Sequence, residues 1–362
     1  MVMKKNNSQK KVAVVTFPLI NNYGGIIQAY ALMLVLDDLG HKPTLINLKS
    51  EKRYLSLGKY IFKKYILFFL KKYSSVTLTL KDRKLERFID KYISPKSASI
   101  WNSKQLHKHF SSNKYDACVV GSDQVFAKMG YPKFENDYSL GFVDDETIKF
   151  SYAASFGGND YLGDSNAVDY HKKNLQRFEG VSVRENSAVQ VCFKRFSVDA
   201  QHVLDPTMLI DKNNYINIIG NFSGLLKNKI FAYVLDSDLR KNNIMSQFAD
   251  RKRIAVNQIN DGNDSKNIIS MQEWLGSIYS SEHVITDSFH GCVFCIIFNK
   301  PFHCFVNSKR GADRFYSLLE MFGLENRIIN NEIVDYEINW DDVNSKLEYY
   351  KSKSLDFVNG VI

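Results

Sequence analysis

The sequence predicts an α/β chain built from two doubly wound, Rossmann-like sheets whose strand ends face a common cleft. Three observations lead there. Short β-branched runs alternate with segments of helical spacing along most of the chain, the pattern of parallel sheets covered by helices. The runs end repeatedly in turns of glycine, hydroxyl, carboxylate and cation, where open α/β sheets hold ligands. The stretch from about 207 to 228 turns polar and asparagine-rich, and reads as a linker between two such alternations.

At 362 residues the chain has room for two domains. We place the first at 1–210, the second at 211–335, and a C-terminal helix at 336–362 that packs back across both. A hydrophobic fraction of 44% with 24% charged residues describes a soluble globular protein. The net charge of +9 is uneven: residues 1–114 hold 22 Lys and Arg against 6 Asp and Glu, the remainder 26 against 33. A basic first third implies a surface for phosphates or anionic lipid. No nucleic-acid motif accompanies the charge, so nucleic acid is set aside. Five cysteines, Cys118, Cys192, Cys292, Cys295 and Cys304, read as core thiols; Cys292 and Cys295 have redox or zinc spacing but no second pair. Met1 to Lys11 is polar and basic, unlike a signal peptide, so the chain reads as cytoplasmic.

In chain order, Lys11 to Phe17 reads as a buried strand that runs into Asn21-Asn22-Tyr23-Gly24-Gly25. A helix from Ile26 to Leu39 and a strand from Pro43 to Leu48 complete a βαβ unit. Strands follow at Tyr115–Val120, Ile148–Ala154, Val181–Val183 and His202–Leu204, with a helix from Asn186 to Phe196. After the linker come strands Ile230–Leu235 and Ile254–Val256, a helix Met271–Ser280, a strand His283–Ile285 and an apolar helix. A strand Pro301–Val306, a helix Arg314–Met321 and an amphipathic helix Asp341–Phe357 close the chain.

Residues 51–114 stand apart. Tyr60 to Tyr73 reads Tyr-Ile-Phe-Lys-Lys-Tyr-Ile-Leu-Phe-Phe-Leu-Lys-Lys-Tyr, too short to span a bilayer, which needs about 20 residues. It fits a buried helix with solvated lysine ends, or an interfacial helix seated on anionic lipid.

The strand ends supply Asn22 and Gly24, Ser122 and Asp123, Ser155 and Gly157, Arg184 and Glu185, and Ser288, Phe289 and His290. His290 falls at the first turn of a helix, after Thr286-Asp287-Ser288, with Asp287 or Ser288 as its N-cap. Arginine and helix N-termini hold phosphate or carboxylate, while His and Asp move protons. No His/Asp/Glu cluster has metal spacing, so no metal is expected, and Gly121-Ser122-Asp123 lacks a nucleophile elbow. The set implies group transfer from an anionic donor.

Six of these motifs, in order, carry a resemblance: Asn22-Tyr23-Gly24-Gly25 with Gln28-Ala29-Tyr30-Ala31-Leu32, Gly121-Ser122-Asp123-Gln124-Val125-Phe126, Tyr152-Ala153-Ala154-Ser155-Phe156-Gly157, Ser182-Val183-Arg184-Glu185, Asp205-Pro206-Thr207, and Thr286-Asp287-Ser288-Phe289-His290-Gly291. From Val12 to Arg327 the chain resembles the polysaccharide pyruvyl transferase family. The resemblance implies a GT-B-like pair of Rossmann domains and a ketal-forming transferase. Phosphoenolpyruvate would be the co-substrate and no further cofactor is required. The acceptor would be a galactose- or mannose-type sugar on a polysaccharide or lipid-linked glycan, and the Tyr60–Tyr73 stretch would seat the enzyme at the inner face of the cell membrane.

By the same motif positions, His290, Asp123 and Arg184 are the catalytic candidates. Arg184, Ser288, Phe289, Gly291, Asn22, Gly24, Gly25 and Arg314 would bind the donor; Gln124, Ser155, Phe156 and Gly157 would bind the acceptor. Glu185 is expected to cap the helix after Arg184. Some relatives have Arg-Leu before the His-Gly, where this chain has Ser288-Phe289; the arginine's role then falls to Arg184, Lys309, Arg310 or Arg314. Phe126 stands where Trp is common. The alternatives are a GT-B glycosyltransferase using a nucleotide-sugar, with Glu282 or Asp287 on the ribose, and a non-catalytic glycan-phosphate-binding subunit of envelope assembly.

Overall fold

A computed structural model describes residues 8–20, 22–49, 74–127, 133–222, 224, 226–260, 269–307 and 311–362. Asn21, Tyr60–Tyr73, Lys309 and Arg310 lie outside the described residues. Six strands, β1 (Lys11–Val15), β2 (Lys42–Leu45), β3 (Ala117–Asp123), β4 (Ile148–Ala154), β5 (Val181–Val183) and β6 (Ala200–His202), form one sheet in the order β2-β1-β3-β4-β5-β6. Four more, β7 (Ile230–Val234), β8 (Val256–Asn260), β9 (His283–Thr286) and β10 (Phe302–Cys304), form a second in the order β10-β9-β7-β8. Every described strand pairing is parallel. Each sheet reverses its strand order beside its first strand, between β1 and β3 and between β7 and β9, and ligands bind at such switch points.

The helices are α1 (Tyr23–Asp38), α2 (Ser74–Tyr92), α3 (Ser103–Ser112), α4 (Ser165–Leu175), α5 (Asn186–Val191, continuing into a π turn at Cys192–Phe196), α6 (Lys212–Ile219), α7 (Leu239–Lys252), α8 (Met271–Ser280), α9 (Phe289–Ile297), α10 (Asp313–Phe322) and α11 (Trp340–Val361). Several depart from expectation. The stretch read as a linker contains α6: Asp211 caps it through the Asn213 N–H at 2.7 Å, and Tyr215, Ile218 and Ile219 bury one face. Its asparagines on the outer face hid that periodicity. α7 was not expected either, yet Asp238 caps it and Ile244, Met245 and Phe248 are buried. The basic region holds α2 and α3, which seat Leu85, Phe88, Ile89 and Leu106 in the core. α1 starts at Tyr23 instead of Ile26, because Asn22 accepts from the Gly25 N–H and caps it. β3 runs on through Gly121-Ser122-Asp123, expected as a turn; β2, β6, β8 and β10 are displaced or shorter than expected.

The halves meet around aromatic rings. Tyr23 of α1 stacks on Trp274 of α8 with centroids 5.3 Å apart, and its hydroxyl donates to the Ile269 carbonyl at 2.7 Å. Burying such a ring contributes at most about 4–6 kcal/mol. α11 runs back to the first sheet, where Ser354 Oγ accepts the Leu204 N–H at 3.0 Å. All five cysteines are free and buried, as core thiols should be. Among the described residues no helix is long and apolar enough to cross a membrane.

Candidate active site at the facing strand ends

Gln28, one α1 turn beyond Gly24-Gly25, organises the first switch point. Its Oε1 accepts the Ser122 N–H at 3.0 Å, and its Nε2 donates to Thr16 Oγ1 at 3.1 Å and to the Gly25 carbonyl at 2.9 Å. Thr16 Oγ1 in turn donates to the Ser122 carbonyl at 3.0 Å. The carboxyl end of β3 is therefore clamped to the start of α1. Asp123 is held there at φ 112°, in a region that favours glycine and costs a side-chain residue of order 1–3 kcal/mol. Its Oδ2 lies 3.3 Å from where a Cβ on Gly25 would stand.

Asp205 is the hub. Its Oδ1 accepts the Thr207 N–H at 3.0 Å and the Thr207 hydroxyl at 2.7 Å, which fixes the carboxylate. Its Oδ2 receives Arg184 Nη1 at 3.1 Å and lies 3.4 Å from His290 Nε2 and 3.5 Å from Ser122 Oγ. Arg184 Nη2 reaches Asp123 Oδ1 at 3.5 Å, a looser contact, and its Nε has no partner. Burial alone would raise the Asp205 carboxyl, but His290, Arg184 and Thr207 outweigh it and hold it well below the usual carboxylate range. Burial alone would lower the Arg184 guanidinium; Asp123, Asp205 and Glu185 outweigh that, so it stays above its ordinary value. Sequence reasoning placed Asp205 within a motif but gave it no role, since Arg184, His290 and Ser122 are all far from it in the chain.

His290 crosses from the second half. α9 begins at Ser288, whose side chain accepts the Gly291 N–H at 3.4 Å, so Ser288 is the cap and Asp287 is not. Asp287 is buried and accepts the Leu235 N–H at 2.6 Å, the Asp236 N–H at 3.1 Å and Lys241 Nζ at 2.7 Å. Those bonds leave it no face for a ribose, and Glu282 sits at the opposite end of β9, on another cavity. Both ribose candidates are thereby corrected. Gly24 and Gly25 lie within the first turn of α1 and not in a loop, and the Gly24 site abuts the His290 ring.

Phe289 carries two cations: Arg184 Cζ is 4.7 Å and Arg314 Cζ 5.4 Å from its ring centroid. Glu185 holds the N-cap position of α5 without capping it, against expectation. Its Oε1 instead accepts the Ser155 hydroxyl at 2.8 Å and the Phe156 N–H at 2.9 Å. Burial raises the Glu185 carboxyl, and Arg184, Ser155 and the Phe156 N–H offset this only in part. Ser155 and Phe156 are thus beneath the cleft surface, Phe156 stacking on Phe196 at 5.9 Å. Gly157, at φ 71°, packs beside Gln124, and a Cβ on Gly311 of the second half would come 2.5 Å from the Gly157 carbonyl. Asn22 is engaged as the α1 cap.

The family model described as polysaccharide pyruvyl transferase matches residues 22–309. No curated protein matches the chain. Among solved structures it is similar to UDP-N-acetylglucosamine 2-epimerase from Rickettsia bellii, at 8% identity over 97% of this chain and 96% of that one, with a TM-score of 0.52. It is likewise similar to UDP-GlcNAc 2-epimerase from Neisseria meningitidis bound to UDP-GlcNAc, at 8% identity over 95% and 94%, with a TM-score of 0.51. At that identity the likeness establishes the fold alone, the GT-B arrangement of two parallel sheets. The family match covers every motif of the facing strand ends, and the chain belongs to the polysaccharide pyruvyl transferase family, whose members are transferases.

Proposed function

We propose that the chain transfers the pyruvyl group of phosphoenolpyruvate to a sugar of a polysaccharide or lipid-linked glycan. A proton goes to the methylene carbon and makes C2 electrophilic. One sugar hydroxyl adds to C2 as it loses its proton; a second adds as the bond from C2 to the phosphate oxygen breaks. The product is a pyruvate ketal, with release of inorganic phosphate.

The observation that carries this reading is the chain Asp123–Arg184–Asp205–His290, in which Arg184 hydrogen-bonds both carboxylates and His290 Nε2 stands within ion-pair distance of Asp205 with no hydrogen bond formed. The reaction needs proton transfer and cationic support for the donor's carboxylate and phosphate. His290 is the group for proton transfer. Asp205 is the tight partner of Arg184 and Asp123 the loose one, so the guanidinium is free to turn from Asp123 toward a donor anion. Asp123 then accepts a hydroxyl proton or orients the sugar. Arg314, whose guanidinium also lies against the Phe289 ring, would share the second anionic group, and the N-termini of α1 and α9 add their N–H dipoles.

Inorganic phosphate release from phosphoenolpyruvate with a panel of lipid-linked or synthetic galactosides and mannosides tests the reaction. Phosphoenolpyruvate should also protect against thermal unfolding, since a ligand of the native state stabilises it by mass action. Protection by a nucleotide-sugar and none by phosphoenolpyruvate would transfer the site to glycosyl chemistry. The basic excess before residue 115 supports seating near an anionic membrane surface that carries the acceptor. Salt-sensitive sedimentation with anionic liposomes, lost when Lys63, Lys64, Lys71 and Lys72 become Glu, is the outcome expected.

A further inference from the structure

A second cluster of ionisable side chains lies toward the opposite end of β9 from the strand ends that carry His290. His283 opens β9 and His303 sits in β10, and Asp335 belongs to the strap of residues 328–339 that links α10 to α11. Twenty and thirty-two residues of chain separate them, so no spacing rule finds them; the parallel pairing of β9 with β10 does. One ligand atom from each lies within 4.8 Å of the other two. The two rings stack at 5.1 Å and 17°, with His283 Nε2 2.9 Å from His303 Nδ1.

The hydrogen bonding orients this cluster. His303 Nε2 stands 3.0 Å from the Val334 carbonyl, which has no proton to give, so the ring donates there. Its Nδ1 lone pair is thereby directed at His283. A metal-ligating histidine is ordinarily fixed in this way, by its second nitrogen bonding a carbonyl. A cavity of about 490 Å³ opens beside His283 and Asp335 and gives an ion and its waters access.

Charge decides whether a cation is tolerated. Lys252 pairs with Asp335, and Arg327 faces His303, both opposing it. Asp335, Glu282 and Glu337 line the same cavity and balance them, Glu282 having Lys300 as a further neighbour.

We propose that His283, His303 and Asp335 form a binding site for a divalent transition-metal ion of the zinc class, which pins the 328–339 strap to the second sheet. His303 ligates through Nδ1 and His283 through Nε2, its ring proton moving to Nδ1, and the Asp335 oxygen not held by Lys252 completes three protein ligands. Water from the cavity fills the fourth position. With donor atoms about 2.0–2.2 Å from a tetrahedral ion, the two ring nitrogens, now 2.9 Å apart, spread by about half an ångström while the Asp335 oxygen draws in toward them.

The test uses the full chain, stripped with chelator and titrated with Co(II). Visible d–d bands that saturate at one equivalent and are bleached by Zn(II) are expected. Zn(II) in about 100-fold excess over its Kd should raise Tm by about 3–5 °C. Asp335→Asn, at a partly exposed position that folding tolerates, and His283→Gln should each weaken Co(II) binding at least about tenfold. Circular dichroism and phosphate release would confirm that both variants are folded. A folded wild-type chain without visible bands overturns the site. So does affinity unchanged in Asp335→Asn. Near-ultraviolet thiolate charge-transfer bands also overturn it, because they would place the ion on Cys292, Cys295 or Cys304.

Discussion

A Cβ added to Gly24 would fall inside the His290 imidazole, 2.5 Å from its Cγ and 2.7 Å from its Cε1. The glycine admits a neighbour's ring into the first turn of α1, and the ring stands there because that space is empty. Gly24→Ala must push His290 off its line to Asp205. Displacement of a catalytic group by about 1 Å costs about 100-fold in rate, so turnover should fall by about that factor while circular dichroism stays native. His290→Ala should lose about 100- to 10,000-fold in turnover with donor affinity nearly kept. Full activity in both variants would return the start of α9 to a purely structural turn.

Arg184 and Asp205 should separate binding from scaffolding. Arg184→Ala should weaken phosphoenolpyruvate binding, and Arg184→Lys should rescue little, because a single ammonium cannot hold Asp205 and a donor anion together as the fork of a guanidinium does. Asp205→Asn leaves a buried guanidinium short of its tight counter-charge, a loss of about 3–5 kcal/mol, along with turnover. Donor titration and urea unfolding distinguish the two. An Asp205→Asn chain of wild-type stability would mean that Asp123 alone neutralises Arg184.

Asp287 should behave as a latch. Asp287→Ala strips two backbone N–H groups and Lys241 of their acceptor, and should cost about 3–5 kcal/mol in unfolding free energy. The KM for phosphoenolpyruvate should change little in protein that remains folded. A variant of unchanged stability that lost affinity for a nucleotide-sugar would restore the ribose role.

Acid should weaken the fold through His171. Burial lowers its pKa to about 4, with Nδ1 3.0 Å from Ser139 Oγ. Because the folded value lies below the unfolded one, near 6.5, the unfolded chain binds more protons at acid pH. Stability is full above about pH 6.5 and declines as pH falls toward 4. The part owed to this ring is up to about 3 kcal/mol. Urea midpoints at pH 7 and 4.5 should differ less in His171→Asn than in wild type.

Local signals were legible where they coincided with burial. β1, β4, β5 and β9 are short runs buried on both faces, and the glycines and polar residues at their ends mark the cleft in the sequence itself. α6 and α7 were not legible, because asparagine and lysine on their outer faces dilute a narrow buried stripe. Candidate residues were found by type, but their partners were not. Asp205 and Gln28 act through contacts 21 to 94 residues away in sequence, and only the sheet order brings those together. Glu185 failed for the same reason: its sequence position is a cap, while its partner is the far end of β4.

The return of α11 has a consequence for synthesis. A Cβ at Gly180, just before β5, would meet Phe357 at 3.1 Å, and the Leu204 N–H is satisfied by Ser354. The first sheet leaves the ribosome well before those partners exist. Until residues 354–361 emerge, that sheet carries an apolar groove and a buried-type donor without its acceptor. The nascent protein must therefore hold its earliest half unfinished for more than a hundred residues of elongation, and chaperone demand should peak there. A fusion or truncation at the last helix would thus act on the first half of the fold, the part most distant from it along the chain.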